Sequence, residues 1–103
     1  MVKRKVPEWY YRCSRICRVL GNPTAYQILK ILMNNRKSPS AIADELRLSL
    51  PAISIALRHL REIDLVRYDN MREGKIYFIK DKTVVSILDL LEVLTKRLKS
   101  REY

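Results

Sequence analysis

Two closely spaced helix starts restrict this chain more than any other feature. Ser38-Pro39 and Ser49-Leu50-Pro51 each offer a hydroxyl as an N-cap and a proline in the first turn, where its missing N–H costs nothing. Between them Ile42, Ala43 and Leu46 recur at helical spacing, and only Arg47 and Leu48 separate that short helix from the next. Ile53, Ala56, Leu57, Leu60 and Ile63 then form a second apolar stripe. Two short helices joined so tightly predict a helix-turn-helix.

The flanks follow from the same rules. A first helix is expected to open at Pro7 and stop before Gly21, with Trp9, Cys13, Ile16, Cys17 and Leu20 on one face and Arg12, Arg15 and Arg18 elsewhere on its surface. Asn22-Pro23 restarts the chain, and Ala25, Ile28, Leu29, Leu32 and Met33 form the next stripe. Downstream, Leu65-Val66-Arg67-Tyr68 and Lys75-Ile76-Tyr77-Phe78-Ile79 are rich in β-branched and aromatic residues. They predict a hairpin whose charged, polar tip is Asp69 to Gly74. The last segment returns to helix: Val84, Ile87, Leu91, Leu94 and Leu98 alternate steps of three and four, and Val85, Leu88, Leu90 and Val93 widen the apolar face. Such a helix is expected to cover its own domain and a second copy of the chain, burial in its own core alone being the other reading.

Charge narrows the partner. The 103 residues hold 21 Lys and Arg against 11 Asp and Glu, a net charge of +10. Half of that excess lies in the first twenty residues, where Lys3, Arg4, Lys5, Arg12, Arg15 and Arg18 face Glu8 alone. A body this small and basic favours a polyanion, either nucleic acid or an anionic membrane surface. No apolar run approaches the roughly 20 residues that span a bilayer. The basic start, Met1 to Pro7, has no apolar stretch behind it to make a secretory signal, so a cytoplasmic location is expected. Two cysteines, one histidine and two glycines supply no disulfide framework, four-ligand zinc spacing or phosphate loop, and no reason to expect an enzyme.

The order of elements, mainly α with a small β-hairpin, looks like a winged helix-turn-helix. From Leu20 to about Leu98 the chain resembles the ArsR/SmtB family of small dimeric transcriptional regulators. The stretch Leu46-Arg47-Leu48-Ser49-Leu50-Pro51-Ala52-Ile53-Ser54-Ile55-Ala56-Leu57-Arg58-His59-Leu60, continuing to Arg67, matches without a gap. Arg72-Glu73-Gly74-Lys75, followed by Ile76-Tyr77-Phe78, resembles the family's wing. Charge and the lack of any linker predict a basic arm over 1–6 ahead of a single domain over 7–103, which the resemblance makes a winged helix. Within it lie a helix-turn-helix at about 38–63, a recognition helix at about 49–63, a wing at about 65–79, and dimerisation helices at about 7–20 and 82–99.

Helical geometry turns Leu50, Pro51, Ser54, Ile55 and Arg58 away from the apolar stripe, and with Ala52 they are the expected major-groove residues. Leu50, Ala52 and Ile55 are apolar where the family is commonly polar, which suits contact with thymine methyls or, alternatively, packing against another protein. Ser38, Arg47, Ser49 and Arg61 border the helix-turn-helix as candidate phosphate contacts. Arg72 and Lys75, with Asn70, are candidates on the wing. The expected dimer interface is Trp9, Cys13, Ile16, Cys17 and Leu20 with Val84, Ile87, Leu88, Leu91, Leu94 and Leu98.

No cofactor is expected. The family's cysteine-pair motif falls on Ser38 and Ser40, and its histidine-containing site falls near Asp89 and Glu92 with no histidine at hand. Cys13 and Cys17 read most simply as small buried hydrophobes. A redox pair is the functional alternative, aided by the nearby arginines. Zinc held by four thiolates across a dimer is a remoter one. His59 reads as packing at the core edge. The function these features predict is a homodimeric, sequence-selective regulator of double-stranded DNA, expected to act as a repressor. The alternatives are a winged-helix protein-interaction module with weak DNA binding, and a thiol-responsive regulator.

Overall fold

A computed structural model of the chain describes residues 5–98. The first four residues of the basic arm, and everything beyond Leu98, lie outside the described residues. The order is α1 (Glu8–Leu20), α2 (Pro23–Leu32), α3 (Pro39–Leu46), α4 (Leu50–Glu62), β1 (Arg67–Met71), β2 (Gly74–Phe78) and α5 (Thr83–Leu98).

Each cap-and-proline start forms as its chemistry dictates. The Asn22 side chain accepts from the Ala25 N–H at 3.0 Å, Ser38 Oγ from Ala41 at 3.1 Å and Ser49 Oγ from Ala52 at 3.3 Å. The exits of α3 and α4 are alike too. Arg47 (φ 58°) and Asp64 (φ 64°) adopt the left-handed conformation. The next N–H then reaches back to close the helix, Leu48 to Ala43 O and Leu65 to Leu60 O, both at 3.0 Å. Such a reversal normally favours glycine, and here two charged residues carry it.

The core is a layer of leucine and isoleucine shared by α2, α3 and α4, with Ile28, Leu29, Ile42, Ile53, Leu57 and Leu60 fully enclosed. Val66, Tyr77 from β2, and Val84 and Leu88 from α5 close it. Tyr26 and Lys30 of α2 clasp Glu92 of α5, at 2.9 Å and 2.8 Å.

Three expectations need correction. The strands start later and reach further toward the tip than composition suggests: Leu65 and Val66 precede β1 and Ile79 follows β2, while Asp69, Asn70 and Met71 are in strand, paired with Ile76, Lys75 and Gly74, and the turn is only Arg72-Glu73. Gly74 makes so short a turn feasible at φ 122°, a backbone geometry open to glycine. Val84 and Leu88, expected at a dimer seam, are buried in their own core, because the first turns of α5 lie on it. Cys13 and Cys17 are exposed on the single protomer, on the helix expected to face a second copy. His59 is exposed as well, on the flank of α4 away from the core stripe.

Candidate nucleic-acid interface

The reversal at Arg47 sets α4 across α3 with its outer side in solvent. Leu50 is 46% exposed and Ile55 50%, and Pro51, Ser54 and Arg58 are also exposed, while Ala52 is half-buried. The expected outward face is therefore presented as a unit.

The hairpin is anchored beside it. Tyr77 and Lys37 exchange two backbone hydrogen bonds, at 2.8 and 3.1 Å, fastening β2 to the segment ahead of α3. Alternation along the ribbon gives it two faces. On one, Arg36 stacks over Phe78 at 4.2 Å and pairs with Asp69 at 2.7 Å. On the other, Tyr68 and Tyr77 meet at 5.3 Å, with the Lys75 ammonium 4.6 Å and the Arg61 guanidinium 5.6 Å from the Tyr68 ring centroid. These contacts hold two cations from different elements at one place.

Between α4 and that second face runs an open groove of about 310 Å³, lined by Pro39, Ser54, Ile55, Leu57, Arg58, Arg61, Lys75 and Tyr77. Five sequence-predicted residues, Ser54, Ile55, Arg58, Arg61 and Lys75, thus converge. Leu50, Pro51 and Ala52 lie on α4 but outside the groove lining, as do Arg47 on the helix-turn-helix reversal and Asn70 and Arg72 at the far end of the hairpin. Ser38 and Ser49 use their hydroxyls as caps. Sequence reasoning missed Arg36, whose partners Phe78 and Asp69 are remote in the chain, the backbone link from Lys37 to Tyr77, and the ring pair Tyr68–Tyr77; the Lys37 ammonium itself pairs with Glu45 at 3.0 Å. Another nearby cation is already neutralised: Arg67 grips Asp64 through two hydrogen bonds of 3.0 Å. That grip holds the Asp64 carboxyl below its usual range.

The comparisons with known proteins point one way. Residues 22–68, from the start of α2 into β1, match the family model described as bacterial regulatory protein, arsR family. The chain is 32% identical over 88 residues to the HTH-type transcriptional regulator MJ1325 of Methanocaldococcus jannaschii, covering 84% of this chain and 99% of that protein. The chain belongs to the HTH-type transcriptional regulators, with an arsR-family domain over residues 22–68. Among solved structures, HlyU from Vibrio cholerae superposes with a TM-score of 0.77 at 25% identity, over 86% of this chain and 97% of its own. A homodimeric winged helix-turn-helix DNA-binding domain from Mycobacterium bovis shares the fold, with a TM-score of 0.83 at 22% identity over 100% of this chain and 98% of its own. Family and fold are those of transcription regulators with a DNA-binding winged helix, not of enzymes. No helix among the described residues is long and apolar enough to cross a membrane.

Proposed function

We propose that the chain works in the cytoplasm as a homodimeric, sequence-selective repressor. Each α4 lies in the major groove of double-stranded DNA and each hairpin lies beside the adjoining minor groove. The groove between α4 and the hairpin carries this reading, because it gathers Arg58, Arg61 and Lys75 where a phosphate backbone would pass the recognition helix. Half-exposed Leu50 and Ile55 suit thymine methyls. The exposed side of α1 and the exposed second half of α5, with Leu91, Leu94 and Leu98, supply an apolar face for a second copy. Two-fold symmetry would set the recognition helices roughly 34 Å apart on a near-palindromic site.

Selection of bound duplexes from a random pool, followed by gel-shift titration across salt concentration, tests this. An AT-rich inverted repeat is expected, with affinity falling steeply as salt rises. Arg58→Ala should cost about 1–3 kcal/mol of binding. A protomer that stays single in light scattering and ignores DNA in dilute buffer would sink the proposal, leaving Leu50 and Ile55 as a protein-docking surface.

Exposure of both thiols favours one addition, a thiol-responsive dimer. Residues four apart on a helix hold their Cβ atoms about 5–6 Å apart, too far for the roughly 3.5–4.5 Å of a disulfide. A bond formed on oxidation would therefore join two protomers, two thiols and one hydrogen peroxide giving one disulfide and two waters. A peroxide-treated sample should show a covalent dimer on a non-reducing gel. Absence of that band, with DNA affinity unaltered, would retire the thiol switch.

A further inference from the structure

Ile55 is a ridge between two grooves. One is the groove between α4 and the hairpin. The other, of about 400 Å³, lies on the opposite flank of α4, against the junction of α1 and α2, where Arg18, Asn22, Thr24 and His59 line it with Ile55. The recognition helix therefore has a groove on each side; Val19, Ala25, Ala52 and Ala56 make the lining of the second largely apolar, and Arg18 is the one arginine or lysine in it. A helix seated in a major groove roughly 12 Å wide has one phosphate backbone on either hand. The hairpin-side cations account for only one of them.

We propose that the second backbone runs through the groove between α1, α2 and α4, with the Arg18 guanidinium neutralising a phosphate there. Thr24 adds a hydroxyl and a first-turn amide N–H that has no carbonyl partner within its own helix. This inference rests on the DNA reading above and adds a second line of contact to it. Toward the C-terminal end of α4, Arg12 and Arg15 line a separate pocket with Glu62 and Asp64, and Asp64 is already held by Arg67. Arg12 is further occupied over the Trp9 ring at 5.8 Å. Of the three α1 arginines only Arg18 lines the groove beside Thr24, so Arg12 lies away from the phosphate path proposed here.

Phosphate-ethylation interference on the selected duplex, with salt titrations of variants, tests the assignment. Interference is expected on both strands flanking the contacted major groove. Arg18→Gln, which removes the contact from both protomers, should weaken binding about thirtyfold near 0.15 M salt and reduce the magnitude of the log–log salt slope by about 1.8. Arg18→Lys should keep the slope, and Arg12→Gln should change neither quantity. The proposal is overturned if Arg18→Gln keeps the wild-type slope while Arg58→Ala weakens binding. Equal losses from Arg12→Gln and Arg18→Gln would overturn it too, since they mark a diffuse charge effect. A wild-type chain without salt-dependent binding overturns the DNA reading and this inference together.

Discussion

α1 and α4 are both amphipathic and thirteen residues long, yet they fare oppositely. α4 encloses Ile53, Ala56, Leu57 and Leu60 in the core. α1 touches that core only through half-buried Ile16, Val19 and Leu20, and its Trp9 is 68% exposed. An apolar stripe at helical spacing shows that a helix has an apolar partner; it does not show where in space that partner is. α5 contains both behaviours in one element. Val84 and Leu88 are buried like α4, while Leu90, Leu91, Leu94 and Leu98 are exposed like α1.

If that division is right, truncations on the two helices must differ in kind. Leu60→Ala should cost about 2–5 kcal/mol in urea denaturation, a large share of the roughly 5–15 kcal/mol of a typical domain. Ile16→Ala, measured at high dilution, should cost about 1 kcal/mol or less. Equal costs would break the comparison, because α1 would then be part of the protomer's own core. Next in size is the double variant Leu91→Ala with Leu94→Ala, expected to weaken self-association at least about a hundredfold in sedimentation equilibrium. Melting of the dilute protein should barely move. Unchanged association would place the dimer contact elsewhere.

Smaller again is Arg47→Gly, which acts on how α4 is set rather than on what it buries. Relieving the left-handed backbone at φ 58° should stabilise the fold by about 1 kcal/mol. The same change removes a candidate phosphate contact, so DNA affinity should fall while the melting temperature rises. A fall in both would show that the Arg47 side chain supports the turn.

The parts of this fold legible in the sequence are those governed by neighbours in the chain. Asn22, Ser38 and Ser49 announced three helix starts because a cap needs only the amide three residues on. The α4 stripe, and the exposure of Leu50 and Ile55 opposite it, followed from helical periodicity. Illegible were features set by long-range contact or by one turn's backbone. Asp69 and Asn70 look like loop residues, but a two-stranded ribbon with a solvated face tolerates them, and Gly74 shortens the turn. The step pattern of α5 continues unbroken past Leu88, so nothing local marks where the core ends. Of the candidate site, Ser54, Arg58, Arg61 and Lys75 were found by position relative to the helix-turn-helix. The aromatic seat that holds Arg61 and Lys75 at Tyr68 was not, since it depends on the packing of β1 beside both α4 and β2.

Where α5 passes from enclosed to exposed, Glu92 offers the finest test of the boundary. The Lys30 ammonium, and after it the Tyr26 hydroxyl, hydrogen-bond to its carboxylate and hold it below the usual glutamate range. A carboxyl whose pKa is lower folded than unfolded contributes stability above its unfolded value, and that contribution is lost as pH falls through the folded one. Both charged partners are about 39% exposed, so the effect is screened and small. Thermal melts from neutral pH down through the carboxylate range should therefore show a slightly shallower acid limb for Glu92→Gln than for the wild-type chain. The limb should not vanish, because Asp64 and Asp81 are likewise held below their usual range and still titrate. Superimposable acid limbs would mean that the clasp does not fasten α5 to α2 in solution, and that the enclosed part of α5 ends before Glu92.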